Sequence, residues 1–119
     1  MKYMLLIYRD EAAMQPMSEP TMTEMTGAYL AYTKTLRDSG AFVAGDRLGL
    51  SANATTVRVS DGHTQVLNGP YAETKEQLGG YYIIDVADLD AALAWAARCP
   101  GAQYGVMEVR PIPAQPLAA

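Results

Sequence analysis

The segment 67–84 carries the densest set of side chains in this chain that can do chemistry. It reads LNGPYAETKEQLGGYYII, and its turn-forming and charged members include Asn68, Gly69, Pro70, Glu73, Lys75, Gly79 and Gly80. A carboxylate near an ammonium group can orient a polar ligand, with Glu73 as an acceptor or base and Lys75 as an anchor for an anion. The structural alternative is a turn at 68–70, followed by a solvated helical turn that ends at Gly79. The residues alone leave both interpretations open.

A functional version of this segment is a flap over a cleft. Pro70 stiffens one end, and the two glycines at the other end let the backbone of 69–80 lie close to a sheet. In a functional flap Glu73 and Lys75 point inward, whereas in a plain connector both point to water. We expect the ligand-binding residues to be Tyr8, Asp46, Asn68, Tyr71, Glu73, Lys75 and Tyr81.

Other reactive residue types have simpler explanations. His63, the single histidine, lies beside an Asp-Gly turn, where exposure argues against a catalytic role. Cys99, the single cysteine, has neither a disulfide partner nor a neighbouring histidine, which predicts a structural thiol. Two Met-x-x-Met pairs at 14–17 and 22–25 are a pattern that can bind copper(I). Without an export signal or a companion histidine or cysteine, adaptable packing in the core or a lid explains them better.

Motifs that bind metals or cofactors are missing from the sequence. It contains no CxxC, HExxH or GxSxG, and Gly79-Gly80 precedes a strand, whereas a phosphate-binding loop follows one. We therefore expect neither a metal nor a cofactor. Eight tyrosines against one phenylalanine predict a cavity with polar edges, although a dimer interface accounts for the excess equally well.

Length and composition predict one small globular domain. The 119 residues are half apolar and 18% charged, a balance far from that of disordered chains. The net charge is -4 and the basic residues are scattered, which argues against nucleic acid as a partner. The apolar run before Arg9 is too short for a signal peptide or a membrane span, so we expect a cytoplasmic protein with no membrane partner.

The hydrophobic pattern predicts alternating strands and helices. A continuous apolar run at 3–8 is typical of a buried strand. A helix over 19–39 begins after Ser18, and Gly40 ends it in a left-handed conformation. The later predicted elements are a strand at 41–45, a hairpin around Asp61-Gly62, a strand at 81–86, a helix over 89–98 capped by Asp88, and a final strand in YGVMEVRPI.

Asp61-Gly62 is the clearest local signal, because a two-residue type I′ turn needs two positive φ angles. Pairing across this turn places Val57 opposite Val66 on one face, with Arg58 and Gln65 on the other.

The order of the elements predicts an α+β fold, a ferredoxin-like βαββαβ sheet with an inserted β-hairpin after its second strand. The runs 3–8 and 81–86 fall at its two central strands. Both helices cover one face, so the apolar second face needs a cover from a second copy, and we expect a homodimer. Residues 1–112 form this domain, and the proline-broken segment 113–119 is a flexible tail.

The stretch NGPYAETKEQLGGYYIIDV resembles the DGPF branch of the YCII-related domain family, and MKYMLLIY, ATTVRV, ALAWAARCP and VMEVRPI extend the resemblance from Met1 to about Ile112. It implies a dimeric α/β barrel in which two sheets face each other around a cleft. Some YCII relatives have a proposed histidine and aspartate pair. Here the aspartate of the motif is Asn68, its phenylalanine is Tyr71, and the first helix has no histidine. An asparagine cannot act as a carboxylate base, so the resemblance transfers no acid–base pair.

Two functional hypotheses follow from these observations. The first is a cofactor-independent enzyme or enzyme-like binder of a small polar or anionic ligand, which uses the cleft between the paired sheets. The second is a non-catalytic dimeric module that binds a protein partner or regulates transcription, since the family resembled is often associated with extracytoplasmic-function sigma factors. The sequence names no reaction for either.

Overall fold

Six strands and three helices form the protein in the computed structural model, which describes residues 1–14 and 17–114. The strands are β1 (Lys2–Arg9), β2 (Phe42–Arg47), β3 (Thr55–Ser60), β4 (His63–Asn68), β5 (Gln77–Asp85) and β6 (Val106–Ile112). The helices are α1 (Glu19–Asp38), α2 (Leu89–Arg98) and the short α3 (Gly101–Tyr104), with a 3-10 turn at Ser51–Asn53. The fold is a mixed α+β fold with antiparallel sheets, as the sequence predicts.

Four strands form one antiparallel sheet in the order β2-β5-β1-β6, so β1 and β5 lie at its centre. β5 begins at Gln77, four residues before the predicted apolar run, and Gly79 and Gly80 therefore lie inside the sheet. Ile7 pairs with Gly80 while Tyr8 pairs with Leu78, which leaves Gly79 as the extra residue of a β-bulge. The prediction that the two glycines belong to a loop is wrong, because this bulge uses them within the strand.

The helices begin and end at the predicted signals. The Ser18 side chain accepts a hydrogen bond from the Thr21 amide at the start of α1, and Gly40 follows its end at a φ of 82°. The Asp88 side chain accepts from the Ala91 amide at 2.9 Å at the start of α2. Among the described residues, no helix is both long and apolar enough to cross a membrane.

The core lies between the helices and one face of the four-stranded sheet. Its largest fully buried side chains are Leu5, Leu36, Ile84 and Cys99. The Tyr32 hydroxyl of α1 donates to the Trp95 carbonyl of α2 at 2.7 Å, which joins the two helices above the sheet. Burial raises the pKa of the Cys99 thiol to about 11, so this thiol is packed and protonated at neutral pH.

The hairpin of β3 and β4 forms a separate two-stranded sheet. Asp61 and Gly62 have φ angles of 51° and 77°, as a type I′ turn requires. The predicted register is confirmed, with Val57 opposite Val66. These two valines remain 61% and 62% exposed, so the apolar face of the hairpin has no cover within the described residues.

Candidate functional site

A cavity of about 320 Å³ lies between α1 and the helix-facing side of the four-stranded sheet. This volume falls within the range of small-molecule sites in proteins. The lining combines methionines from α1 and the segment before it with tyrosine and threonine hydroxyls and three arginines. It is the best-formed candidate site in the part of the chain that the structure describes.

The cavity exists because only half of α1 packs tightly. The buried residues of this helix are Tyr32 and Leu36, both in its second half. In the first half Met22 is 51% exposed, and it lines the cavity together with Met17 and Met25. Methionine side chains are flexible and polarizable, so this wall can adapt to the shape of a ligand.

Hydroxyl groups provide the polar part of the interior. The Thr33 hydroxyl donates to the Tyr29 carbonyl at 2.8 Å, so its oxygen accepts the hydrogen bond that joins it to the Tyr82 hydroxyl at 2.7 Å. Burial raises the pKa of Tyr82, and burial raises that of Tyr29 to about 12. Both phenols therefore stay protonated at neutral pH and serve as hydrogen-bond donors.

Two arginines flank the glycine pair of β5 at one end of the cavity. Arg9 ends β1 opposite Gln77, and Arg47 ends β2 opposite Gly80. A Cβ on Gly79 would lie 3.0 Å from Arg9 Nε, and a Cβ on Gly80 would lie 3.0 Å from the Asp46 carbonyl oxygen. The absence of side chains at these positions makes room for the arginine on one side and for the β2 backbone on the other.

Three of the predicted site residues lie on the opposite face of the sheet. Tyr82 faces α1, so the alternation along β5 places the neighbouring Tyr81 on the open face. There the Tyr81 hydroxyl donates to Asp46 Oδ2 at 2.8 Å, which raises the pKa of Tyr81. Tyr8 lies on the same face and donates to Glu108 Oε1 at 3.1 Å. Asp46 and Tyr81 border the cavity, but their polar ends face away from it.

The other predicted residues lie outside the cavity lining. Glu73 and Lys75 are exposed, and no helical turn forms around them because the chain bends and then enters β5 at Gln77. Asn68 ends β4 and is exposed. Tyr71 is 77% exposed, and the guanidinium of Arg58 lies 5.6 Å from its ring centre. The structure thus does not gather the seven residues at one place, and their role in ligand binding stays a prediction.

A second depression, of about 420 Å³, lies between α1 and α3. Its walls include the small side chains Ala28 and Ala31 and the exposed Tyr104. The first cavity combines apolar side chains with several hydrogen-bond donors that face the same space, which is typical of a ligand site. The second depression is therefore the weaker candidate.

Sequence reasoning missed Arg9 and Arg47 as a pair. The predicted strands at 3–8 and 41–45 stop just short of these arginines, but the predicted topology places both strands beside the strand at 81–86, which follows Gly79-Gly80. The strand order therefore contained the signal, although nothing in the local sequence marks either arginine. Within residues 1–14 and 17–114, no group of three or more His, Cys, Asp and Glu side chains is placed to hold a metal ion.

The fold is similar to that of a solved enzyme. The structure of 5-chloro-2-hydroxyhydroquinone dehydrochlorinase from Burkholderia phenoliruptrix AC1100, in complex with 2,5-dihydroxybenzoquinone, matches with a TM-score of 0.52. The match covers 95% of this chain and 94% of that one, at 15% identity. A likeness at this level of identity concerns the fold alone.

Sequence comparison identifies the family. An uncharacterised protein of Rhizobium meliloti (strain 1021) is 38% identical over 114 residues, which cover 94% of this chain and 92% of that protein. The YCII-related domain matches residues 1–114, the whole chain apart from its last five positions. The chain belongs to the YCII-related domain family.

Proposed function

We propose that this protein binds a small molecule in the cavity between α1 and the sheet. The observation that carries this proposal is the stand-off of the first half of α1, which leaves a space of about 320 Å³ over the sheet. A helix that served only to cover the sheet would pack along its full length, since each buried apolar side chain adds stability. Here Met22, in the first half of α1, borders the space and remains 51% exposed.

The interior is equipped for binding and orientation. Tyr29 has a protonated hydroxyl with no hydrogen-bond partner among the described residues, so a ligand oxygen can accept from it. The one carboxylate of the lining, Asp46, accepts from Tyr81 on the opposite face. The cavity therefore supports binding, and no reaction is assigned to it. The dehydrochlorinase with a similar fold was solved with a small oxygenated ring compound, which agrees with a small-molecule role.

The functional unit is a homodimer of ferredoxin-like sheets within the DGPF branch. The strand order β2-β5-β1-β6, with the helices on one face, supports the ferredoxin-like topology. On the open face Met4, Leu6 and Ile83 form an apolar stripe between the Tyr8–Glu108 and Tyr81–Asp46 hydrogen bonds. A second copy related by a two-fold axis would cover this stripe with its own.

A thermal-shift screen of a metabolite library against a plugged cavity tests the proposed function. Thr26 lines the cavity, so Thr26→Trp fills it, whereas Thr23→Trp places the same ring on the exposed surface of the same helix. A compound at about 100 times its Kd stabilises the folded protein by about 2.7 kcal/mol. We expect such compounds to stabilise wild type and Thr23→Trp but not Thr26→Trp. Equal stabilisation of all three proteins, or none of wild type, would contradict the proposal.

The same screen decides the role of the charged segment. If the cavity is the site, Glu73→Ala and Lys75→Ala respond as wild type does, because both side chains are exposed and outside the lining. If the predicted flap closes over the ligand, either variant loses the stabilisation.

A further inference from the structure

We propose that the ligand is an amphipathic anion whose negative group lies between Arg9 and Arg47 and whose apolar part lies among the methionines of α1. This inference rests on the proposed function and specifies the chemical class of the ligand. It follows from the placement of the two arginines, from the hydrogen bonds of the acids beside them, and from the apolar wall opposite.

Arg9 and Arg47 lie on the two strands that flank β5, and both line the cavity. Neighbouring strands lie about 4.8 Å apart, so β1 and β2 are separated by roughly 10 Å across β5. Both arginine side chains are long enough to reach across half of that distance. Gly79 and Gly80 lie between the two strands, and without a Cβ they leave room for the Arg9 side chain and for the β2 backbone next to Arg47. Arginine forks bind carboxylate, sulfonate and phosphate groups through paired N–H donors.

The acids that follow Arg9 in the sequence are engaged elsewhere. Asp10 Oδ1 accepts from the Ala13 amide at 3.2 Å. The Glu11 carboxylate accepts from both the amide and the hydroxyl of Ser51, at 3.0 and 2.6 Å. These bonds hold both carboxylates on the loops, so neither neutralises the guanidinium.

The acid beside Arg47 is engaged in the same way. The Asp46 carboxylate accepts from the Tyr81 hydroxyl on the open face of the sheet. Within the described residues, the ion pairs are those of the N-terminal amine with Asp85 and of Lys34 with Asp38. Arg9 and Arg47 therefore lack an acidic partner in the part of the chain that the structure describes.

The charge at this end of the cavity contrasts with the charge of the whole chain. The protein carries a net charge of -4, yet its cavity lining contains three arginines and one aspartate. The third of these, Arg37, lies with its Cζ 4.5 Å from the centre of the Phe42 ring, and we assign it no part in anion binding. Positive charge concentrated in a cavity of an acidic protein selects an anion over a neutral ligand of the same shape.

The other part of the ligand must be apolar. Met17, Met22, Met25 and Leu30 line the wall that α1 and the segment before it provide. A highly charged ligand would leave these apolar side chains exposed to water. An aromatic ring or a short hydrocarbon chain would bury them. A ring or chain with one acidic group satisfies both ends of the cavity.

A matched pair of fluorescent probes tests the inference. 1-Anilinonaphthalene-8-sulfonate and N-phenyl-1-naphthylamine share one aromatic skeleton and differ by the sulfonate group. We expect both to bind wild type with one site per chain, the sulfonate more tightly. Arg9→Gln and Arg47→Gln should each weaken sulfonate binding by about tenfold, because a charge-assisted hydrogen bond is lost. Binding of the neutral probe should stay within about twofold, which also reports that each variant is folded.

The control is Arg58→Gln, which removes an exposed arginine of β3 that does not border the cavity. Added salt should weaken the binding of the sulfonate probe to wild type and leave the binding of the neutral probe unchanged. Equal loss of both probes in the Arg9 and Arg47 variants, or no preference of wild type for the sulfonate, would overturn the anion site and leave the cavity function standing. Failure of both probes to bind wild type would contradict the proposed function itself.

Discussion

Arg9 lies directly over Gly79, with its Nε 3.0 Å from the point at which a Cβ on that glycine would stand. The contact joins the end of β1 to the start of β5 at the bulge, where Gly79 is the extra residue. The absence of a Cβ there leaves room for the guanidinium to lie across the strand and into the cavity. The Gly79-Gly80 pair thus belongs to the sheet and forms the floor of the proposed site.

Gly79→Ala should weaken anion binding more than it lowers stability. The new Cβ forces the Arg9 side chain to move by a few tenths of an ångström, which a flexible arginine can do at little cost. We expect the affinity for the naphthalene sulfonate probe to fall severalfold while the affinity for the neutral probe is kept. Gly27→Ala is the control, since nothing lies within 4 Å of its Cβ, and it should stabilise α1 by about 1 kcal/mol. Unchanged sulfonate affinity in Gly79→Ala would show that the position of Arg9 is unimportant.

Tyr82→Phe should lower the free energy of unfolding by about 1 kcal/mol. The change removes the hydrogen bond between the Tyr82 hydroxyl and Thr33, which ties the central strand β5 to α1. Urea unfolding measures the effect. Tyr71→Phe is the matched control, because Tyr71 is 77% exposed and its hydroxyl has no hydrogen-bond partner among the described residues. Equal stability of the two variants would contradict the importance of this bond.

Stability should fall with rising pH between about pH 9 and about pH 11 because of Cys99. Burial raises the pKa of this thiol from its ordinary 9.0 to about 11, so the unfolded chain loses the proton first. The contribution of this thiol to the free energy of unfolding is complete below the pKa of the unfolded chain and is lost as the pH rises through the pKa of the folded protein. The loss amounts to about 2 to 3 kcal/mol. Urea unfolding of wild type and Cys99→Ala across this range isolates the effect, since other groups titrate in both. If the free energy of unfolding of the two proteins changed with pH in the same way, a buried, protonated thiol would be ruled out.

Leu6→Glu should give a monomer at micromolar concentration, where wild type should be a dimer. Leu6 lies in the centre of the open sheet face, and a carboxylate there would be buried against the second copy without a partner. Leu93→Glu introduces the same charge at a 46% exposed position of α2, away from that face, and should leave the dimer intact. Light scattering distinguishes the two masses. A monomeric wild type at this concentration would disprove the proposed assembly.

Local signals in the sequence predicted the secondary structure closely. Asp61-Gly62 gave the hairpin and its register because a type I′ turn depends on the φ angles of two residues. The caps at Ser18 and Asp88 gave the starts of α1 and α2 for the same reason, since each involves a side chain and an amide three residues away.

The site depends on contacts that no local pattern encodes. The glycines at 79 and 80 predicted a loop, because a glycine within a strand is unusual unless another group approaches it closely. In the structure the groups that approach are Arg9 and the Asp46 carbonyl, and the sequence does not show either contact. The charged pair Glu73 and Lys75 stood out in the sequence but is exposed in the fold. The arginines near the cavity come from strands separated by some forty residues, so their proximity is a product of the sheet order.

The methyl signals of the methionines offer the most direct test of the cavity as the binding site. Of the seven methionines, Met17, Met22 and Met25 line the cavity, whereas Met4 lies on the open face of the sheet. Single Met→Leu variants assign the signals of protein labelled with ¹³C at the methionine methyl groups. On titration with the naphthalene sulfonate probe, we expect the signals of the three cavity methionines to shift together and saturate at one probe per chain, with that of Met4 unchanged. A shift of the Met4 signal without those of the cavity methionines would place the ligand on the open face and contradict the account.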